Sequence, residues 1–263
     1  MKDLTSAVKE WVRQKGADLV RISSCDSLQG APPGHRPQDL LPGAKSVVSF
    51  GLNALEGTFN TPVFHIYQLD YALLRHNSNQ IAYETARFLE GHGFYGLMIP
   101  GTLPVDMTGK KGMFGEFSHR HAAMAAGLGE IGINQLLLTK EFGPRVWLGS
   151  IITTAPLEPD PPWEGRLCLK EECLQCVAAC PAQALQADGS FNKNRCGKDN
   201  AHRLNLSGFL RHLKNILNEE DKEKRNKIIF GPDTWELYQS LAMGMIPGCS
   251  QCIAACPIGK KCR

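Results

Sequence analysis

The chain has 263 residues, 43% of them hydrophobic, with 29 Lys and Arg against 26 Asp and Glu for a net charge of +3. That balance supplies no clustered basic face of the kind nucleic-acid binding usually shows, and no run of about 18 apolar residues is present to span a membrane. The opening stretch "MKDLTSAVKEWVRQKG" is charged and amphipathic without an apolar leader segment, which predicts reduced thiols and a cytoplasmic location for a chain with ten cysteines.

In chain order, Leu4, Ala7, Val8, Trp11 and Val12 share one helical stripe, so residues 4–15 read as an amphipathic helix. "DLVRIS" at 18–23, "SVVSFGL" at 46–52 and "FYGLMIP" at 94–100 are short β-rich runs bounded by glycine, proline or charge. Between the last two, Tyr67, Tyr71, Leu74, Ile81, Ala82, Ala86 and Leu89 are spaced for one buried face of a long helix over 64–91. A further strand, "RVWLGSIITT", leads into "TTAPLEPDPPWEG", whose proline and acid content marks a boundary. Strands separated by helices predict a layered unit of α+β or α/β type over 1–157. A second unit then covers 158–263, with a helical insertion at about 200–245 and "NEEDKEKRNK" at 218–227 as a solvated helix end.

The second unit carries most of the cysteines. Both "CLQCVAACP" and "CSQCIAACP" end in C-x3-C-P, preceded by a C-x2-C turn that delivers two thiolates from one loop. In two-cluster ferredoxins the cysteine before proline ligates the opposite cluster. The crossing pattern assigns Cys168, Cys173, Cys176 and Cys256 to one 4Fe-4S cluster, and Cys180, Cys196, Cys249 and Cys252 to another. Cys262 competes with Cys196 for the last place, and Cys196 is preferred because a terminal "GKKCR" tends to fray. Paired C-x2-C units also bind zinc, and disulfides are a third use of cysteine, but neither needs the duplicated C-x3-C-P extension. Cys25 has no motif around it and reads as a buried or incidental thiol.

The stretch "FSHRHAAMAAGLGEIGINQLLL" at 117–138 is the most informative part of the first unit. Gly127, Gly129 and Gly132 satisfy G-x-G-x-x-G, but a dinucleotide site needs a strand before the glycines and a helix after them, and here that order is reversed. Two readings remain: a helix C-cap packed closely on the following strand, or a turn left bare for a bulky planar ligand. His119 and His121 lie about 200° apart on their helix, so they cannot both face one ligand. His119 is the candidate acid–base group, and His65 and Tyr67 are candidates to line the same cavity.

"HAAMAAGLGEIGINQLLLTKEFGPRVWLGSIITTAPLEPD" followed by two C-x3-C-P motifs resembles the epoxyqueuosine reductase family, which is related to cobalamin-dependent reductive dehalogenases. The resemblance implies a nitroreductase-like N-terminal domain of the cobalamin-processing type and a C-terminal two-cluster ferredoxin-like domain that feeds it electrons. It places the corrin of a cobalamin against Gly127, Gly129, Gly132 and Asn134. The family's acidic proton donor aligns near Met113, which leaves Asp106 and Glu116 as neighbouring catalytic candidates beside His119. The tryptophan and lysine of the family's "GLGWIGKN" are Glu130 and Ile133 here, and no helical-repeat segment follows the cysteines.

The function expected on this basis is an iron–sulfur oxidoreductase that passes electrons through two 4Fe-4S clusters to a cobalamin-type cofactor and reduces an unidentified substrate, with a small molecule or a corrinoid protein as candidate partners. Its donor would be an external low-potential protein such as ferredoxin or flavodoxin. One alternative is an electron-transfer partner that activates a corrinoid or other protein. The other is a tRNA epoxyqueuosine reductase with atypical active-site residues, which the departures from the family pattern weigh against.

Overall fold

A computed structural model describes residues 2–102, 104, 115–198, 206–244 and 248–260. Their contacts group into two compact units, one of Met1–Ala54, Leu74–Cys168 and Pro257–Arg263, the other of Leu55–Leu73 and Leu169–Cys256. The chain therefore passes between the units several times, where the sequence suggested a single division after residue 157.

The first unit is built on a four-stranded sheet of β1 (Leu19–Ser24), β2 (Ser46–Asn53), β6 (Val146–Thr153) and β3 (Gly96–Ile99), in that order. Each neighbouring pair is antiparallel. Register fixes which side chains share a face. Ile22, Val48, Ile151 and Met98 lie in one row across the sheet, and Ser23, Val47, Ile152 and Leu97 lie in the next. Because side chains alternate along a strand, the two rows point to opposite faces.

The first row packs with Val8 and Val12 of α1 (Lys2–Gln14) and with Ile81, Ala82, Ala86 and Leu89 of α3 (Phe64–Gly91). The second packs with Ala122 of α4 (His119–Ala125), together with Cys25, Leu28 and Ala44. Helices thus cover both faces of an antiparallel sheet, giving three layers of mixed α and β content. The alternation of strands and helices in the sequence does not produce a parallel sheet here, because β6 inserts between β2 and β3.

The proline-rich stretch at 153–165 is not a free linker. Asp160 receives Lys9 Nζ at 2.7 Å and the amide of Ile22 at 2.8 Å, Leu157 is buried, and the amide of Glu158 donates to Thr5 Oγ1. These contacts bind the stretch to α1 and β1, so the first unit runs to Cys168.

The second unit is helical. Two short helices, α5 (Gln175–Ala178) and α10 (Gln251–Ala255), pack together, and each carries the second cysteine of its C-x2-C-x3-C-P segment. After α6 (Lys193–Lys198), the expected helical insertion is present as α7 (Leu206–Asn218), α8 (Lys222–Ile229) and α9 (Pro232–Ala242). The charged run at 218–227 breaks at 219–221, where Asp221 caps α8 by accepting from the amides of Glu223 and Lys224. Residues 64–73 of α3 belong to this unit. No described helix is long and apolar enough to cross a membrane.

Candidate functional site

The glycine turn begins where α4 stops. The amide of Gly127 bonds back to the carbonyl of Met124 and that of Leu128 to Ala123, while Gly127 itself adopts φ +78°. This closes the helix by a left-handed glycine cap. A β-carbon on Gly127 would lie 2.2 Å from the carbonyl oxygen of Pro161, and one on Gly129 would lie 1.9 Å from that of Leu138. The space left by the missing side chains is taken by the chain's own backbone. Of the two readings open to the sequence, close packing accounts for these glycines.

Beyond the turn, β4 (Glu130–Ile131) pairs with β5 (Leu137–Leu138) in a small hairpin. Asn134 is buried and its Oδ1 accepts from the amide of Leu136, an internal turn contact. Gly132 faces the side-chain ends of Leu138 and Asn134. At the tip, Gln135 takes a left-handed conformation, φ +62°, and its carbonyl accepts from the Arg120 guanidinium. Gly127, Gly129 and Asn134 each therefore have a role in local packing or hydrogen bonding.

What the hairpin does hold is the approach to Cys168. One oxygen of the Glu130 carboxylate accepts from the amides of both Leu167 and Cys168. The amide of Ile133 donates to Cys168 Sγ at 3.4 Å. Nearby in the chain, buried Arg145 donates to the carbonyl of Ile258 at 3.1 Å, fixing the residues that follow Cys256 and Pro257. The segment 130–145 thus grips the backbone next to two of the four cysteines assigned to the first cluster. Glu130 and Arg145 had no role in the sequence reading; Glu130 was visible only as a departure from the family pattern.

In the second unit, α5 and α10 gather the other cysteines. Burial pushes the Cys252 thiol up to about 12, reinforced by the neighbouring thiols of Cys249, Cys176, Cys196 and Cys180. Cys196 is likewise raised by burial and then by Cys180 and Cys249, and Cys249 by burial and Cys180. The thiols of Cys180, Cys196, Cys249 and Cys252 thus influence one another electrostatically, and Cys176 acts on Cys252. The amide of Ala184 donates to Cys180 Sγ at 3.3 Å. Cys173 is partly exposed at the start of the α5 loop, and Cys176 and Cys256 are buried. Among the described residues no group of three or more His, Cys, Asp or Glu side chains converges closely enough to hold a single metal ion. Cys262 lies outside the described residues.

Tyr67 occupies a different neighbourhood from the one expected. It is buried in the second unit against Phe59, with ring centroids 5.5 Å apart, and burial together with Tyr71 and the adjacent Cys249 and Cys252 raises its phenol. Gln68, only 1% exposed, donates to the carbonyl of Gly248 at 3.1 Å. His65 sits 3.8 Å from Glu236. These residues belong with the cysteines of the second unit.

Of the acid–base candidates, His119 is tied at both ring nitrogens, to Ser150 Oγ at 2.9 Å and to the carbonyl of Pro100 at 3.0 Å. A carbonyl can only accept, so Nε2 carries the proton and Nδ1 accepts from the serine hydroxyl. Burial holds its pKa below the usual histidine range, partly offset by the Pro100 carbonyl. Both nitrogens of His119 are thus engaged within the protein. His121 bonds Ser118 at the head of α4. Glu116 is partly exposed, and its carbonyl oxygen faces His35 Nδ1 at 2.8 Å. Asp106 and Met113 lie outside the described residues. Cys25 is buried and its thiol is pushed up to about 12 by burial and Asp26, which fits an inert thiol.

No protein-family model matches the chain. An epoxyqueuosine reductase of Bacillus cereus is 30% identical over 215 residues, covering 80% of this chain and 51% of the relative. A solved epoxyqueuosine reductase, crystallised with an epoxyqueuosine-modified tRNA-Tyr stem loop, shares the fold with a TM-score of 0.62 at 23% identity, over 98% of this chain and 66% of that one. A B12-dependent reductive dehalogenase shares it with a TM-score of 0.58 at 19% identity, over 90% of this chain and 36% of that one. The chain spans about half or less of the length of the curated relatives first matched. By sequence the chain is similar to epoxyqueuosine reductases, and it shares its fold with them and with reductive dehalogenases.

Proposed function

We propose that the chain is an iron–sulfur reductase that receives electrons from an external low-potential donor and conducts them through two 4Fe-4S clusters. The observation that carries this reading is the packing of α5 against α10, which brings together the two C-x3-C-P segments. Two C-x3-C-P segments packed against each other, each sending its last cysteine away from its own loop, suit the ferredoxin crossing pattern. The clusters, when bound, supply one-electron carriers. The residues of this chain do the rest: Glu130 and Arg145 hold the backbone beside Cys168 and Cys256, Gln68 holds the loop before Cys249, and Tyr67 shields Cys249 and Cys252 from water.

For the substrate, the names of the relatives favour epoxyqueuosine in tRNA over a small molecule or a corrinoid protein. The sequence departures at Glu130 and Ile133 pointed the other way, but the hairpin gives Glu130 a contact with the Cys168 loop that is independent of substrate choice. A cobalamin-type acceptor is implied by the kinship with reductive dehalogenases. At Gly127 and Gly129 the direction a side chain would take is filled by Pro161 and Leu138, so these two glycines are explained without that acceptor.

Anaerobic reconstitution tests the central claim: about eight irons per chain are expected for two cubanes, and retention of zinc or of no metal overturns it. Loss of epoxyqueuosine from tRNA under strong reductant tests the substrate. Titration with cobalamin, followed by its spectrum and by co-elution on gel filtration, tests the acceptor.

A further inference from the structure

We propose that Glu130 is a positioning residue for Cys168 and holds the potential of the cluster bound there low; the inference rests on the cluster reading above. A carboxylate oxygen that accepts both the Leu167 and the Cys168 amides fixes the backbone on which this ligand stands. Three residues along the same hairpin, the Ile133 amide donates directly to Cys168 Sγ. The two contacts act on the ligand in opposite senses.

An N–H donated to a ligating sulfur stabilises the extra electron of the reduced cluster and raises its potential, and a nearby negative charge destabilises that electron and lowers it. Glu130 contributes in the lowering sense by bringing a negative charge beside the ligand. Charge interactions of this kind persist where the site is shielded from bulk water, and Cys168 is buried.

Glu130→Gln separates the charge from the geometry. The amide oxygen of glutamine can accept the same two backbone N–H groups, so the loop is kept and the charge is lost. In anaerobically reconstituted full-length protein, Glu130→Gln is expected to retain the wild-type iron and sulfide content. One of the two midpoint potentials, read by redox titration with electron paramagnetic resonance, should shift upward while the other stays in place. Glu130→Ala, which removes the acceptor as well, is expected to lose about half of the iron. Unchanged potentials in a fully loaded Glu130→Gln protein overturn the proposal and leave the two-cluster reading intact. A downward shift, or equal shifts of both potentials, overturns it as well. Wild-type protein that takes up no iron fails earlier, at the cluster reading itself, and removes the proposal with it.

Discussion

Gln68, buried in α3, donates its side-chain amide to the carbonyl oxygen of Gly248, 3.1 Å away and one residue before Cys249. The contact spans 180 positions of sequence and pins the loop that starts the second C-x2-C turn. Gln68→Ala removes the donor to a part-buried carbonyl, which costs about 1 kcal/mol. The denaturant midpoint should fall accordingly, and iron content should fall with it. A variant as stable and as iron-rich as the wild type would show that the loop is held by other contacts.

Asp160 ties the proline-rich segment to the first unit by accepting from Lys9 and from the amide of Ile22. Asp160→Ala should destabilise the protein by about 1–2 kcal/mol, since it strands a backbone donor on β1 and an ammonium on α1. Asp160→Asn keeps one acceptor for the Ile22 amide and should lose less. Equal losses in the two variants, measured by chemical denaturation, would mean that the backbone contact is not the dominant one.

The first unit was largely legible in the sequence because its core is periodic. Val47 and Val48, like Ile151 and Ile152, point to opposite faces of the sheet, and the stripe on α3 from Ile81 to Leu89 is buried as spaced. Strand order was not legible: nothing local to β2 or β3 announces that β6 lies between them. The cysteine groups could be read because their spacing follows from cluster geometry. The contacts that support them could not, since Glu130 meets Cys168, and Gln68 meets Gly248, only after the chain has folded back over long distances. The glycine turn was ambiguous for a related reason. A bare backbone looks the same in sequence whether a ligand or Pro161 lies against it.

His119 gives the stability a defined pH dependence. Its folded pKa lies below the usual value of 6.5 because burial disfavours the imidazolium. Above that value both folded and unfolded chains hold it neutral, and it contributes no slope. As pH falls below 6.5 the unfolded chain takes up a proton that the folded chain refuses, so stability is lost until the folded pKa is passed. Denaturation midpoints measured between about pH 7.5 and pH 5.5 should fall less for His119→Gln than for the wild type. Parallel slopes would mean that other groups govern this range.

Cys25 should behave as a spectator. Burial and Asp26 push its thiol up to about 12, so its thiolate is scarce at neutral pH and alkylating reagents should leave it unmodified in the native protein. Cys25→Ala should retain the full iron content while costing about 1 kcal/mol of packing in the cluster of side chains beneath α4. Peptide mass mapping after alkylation checks the first expectation, and iron analysis of the variant checks the second.

The last ligand of the second cluster is the assignment on which the crossing pattern depends. Cys196 stands on α6, partly buried, where Cys180 and Cys249 both raise its thiol, and Cys252 responds in turn to Cys196. A cubane needs four thiolates, and the crossing pattern takes the fourth from Cys196, whose amide bonds to the Asn192 carbonyl at the start of α6. Cys196→Ala should therefore lose about four of about eight irons per chain, with the spectrum of the surviving cluster unchanged. Cys262→Ala should keep them all. The reverse result would transfer the ligand to Cys262, and loss of iron in neither variant would mean that a non-cysteine group completes the site.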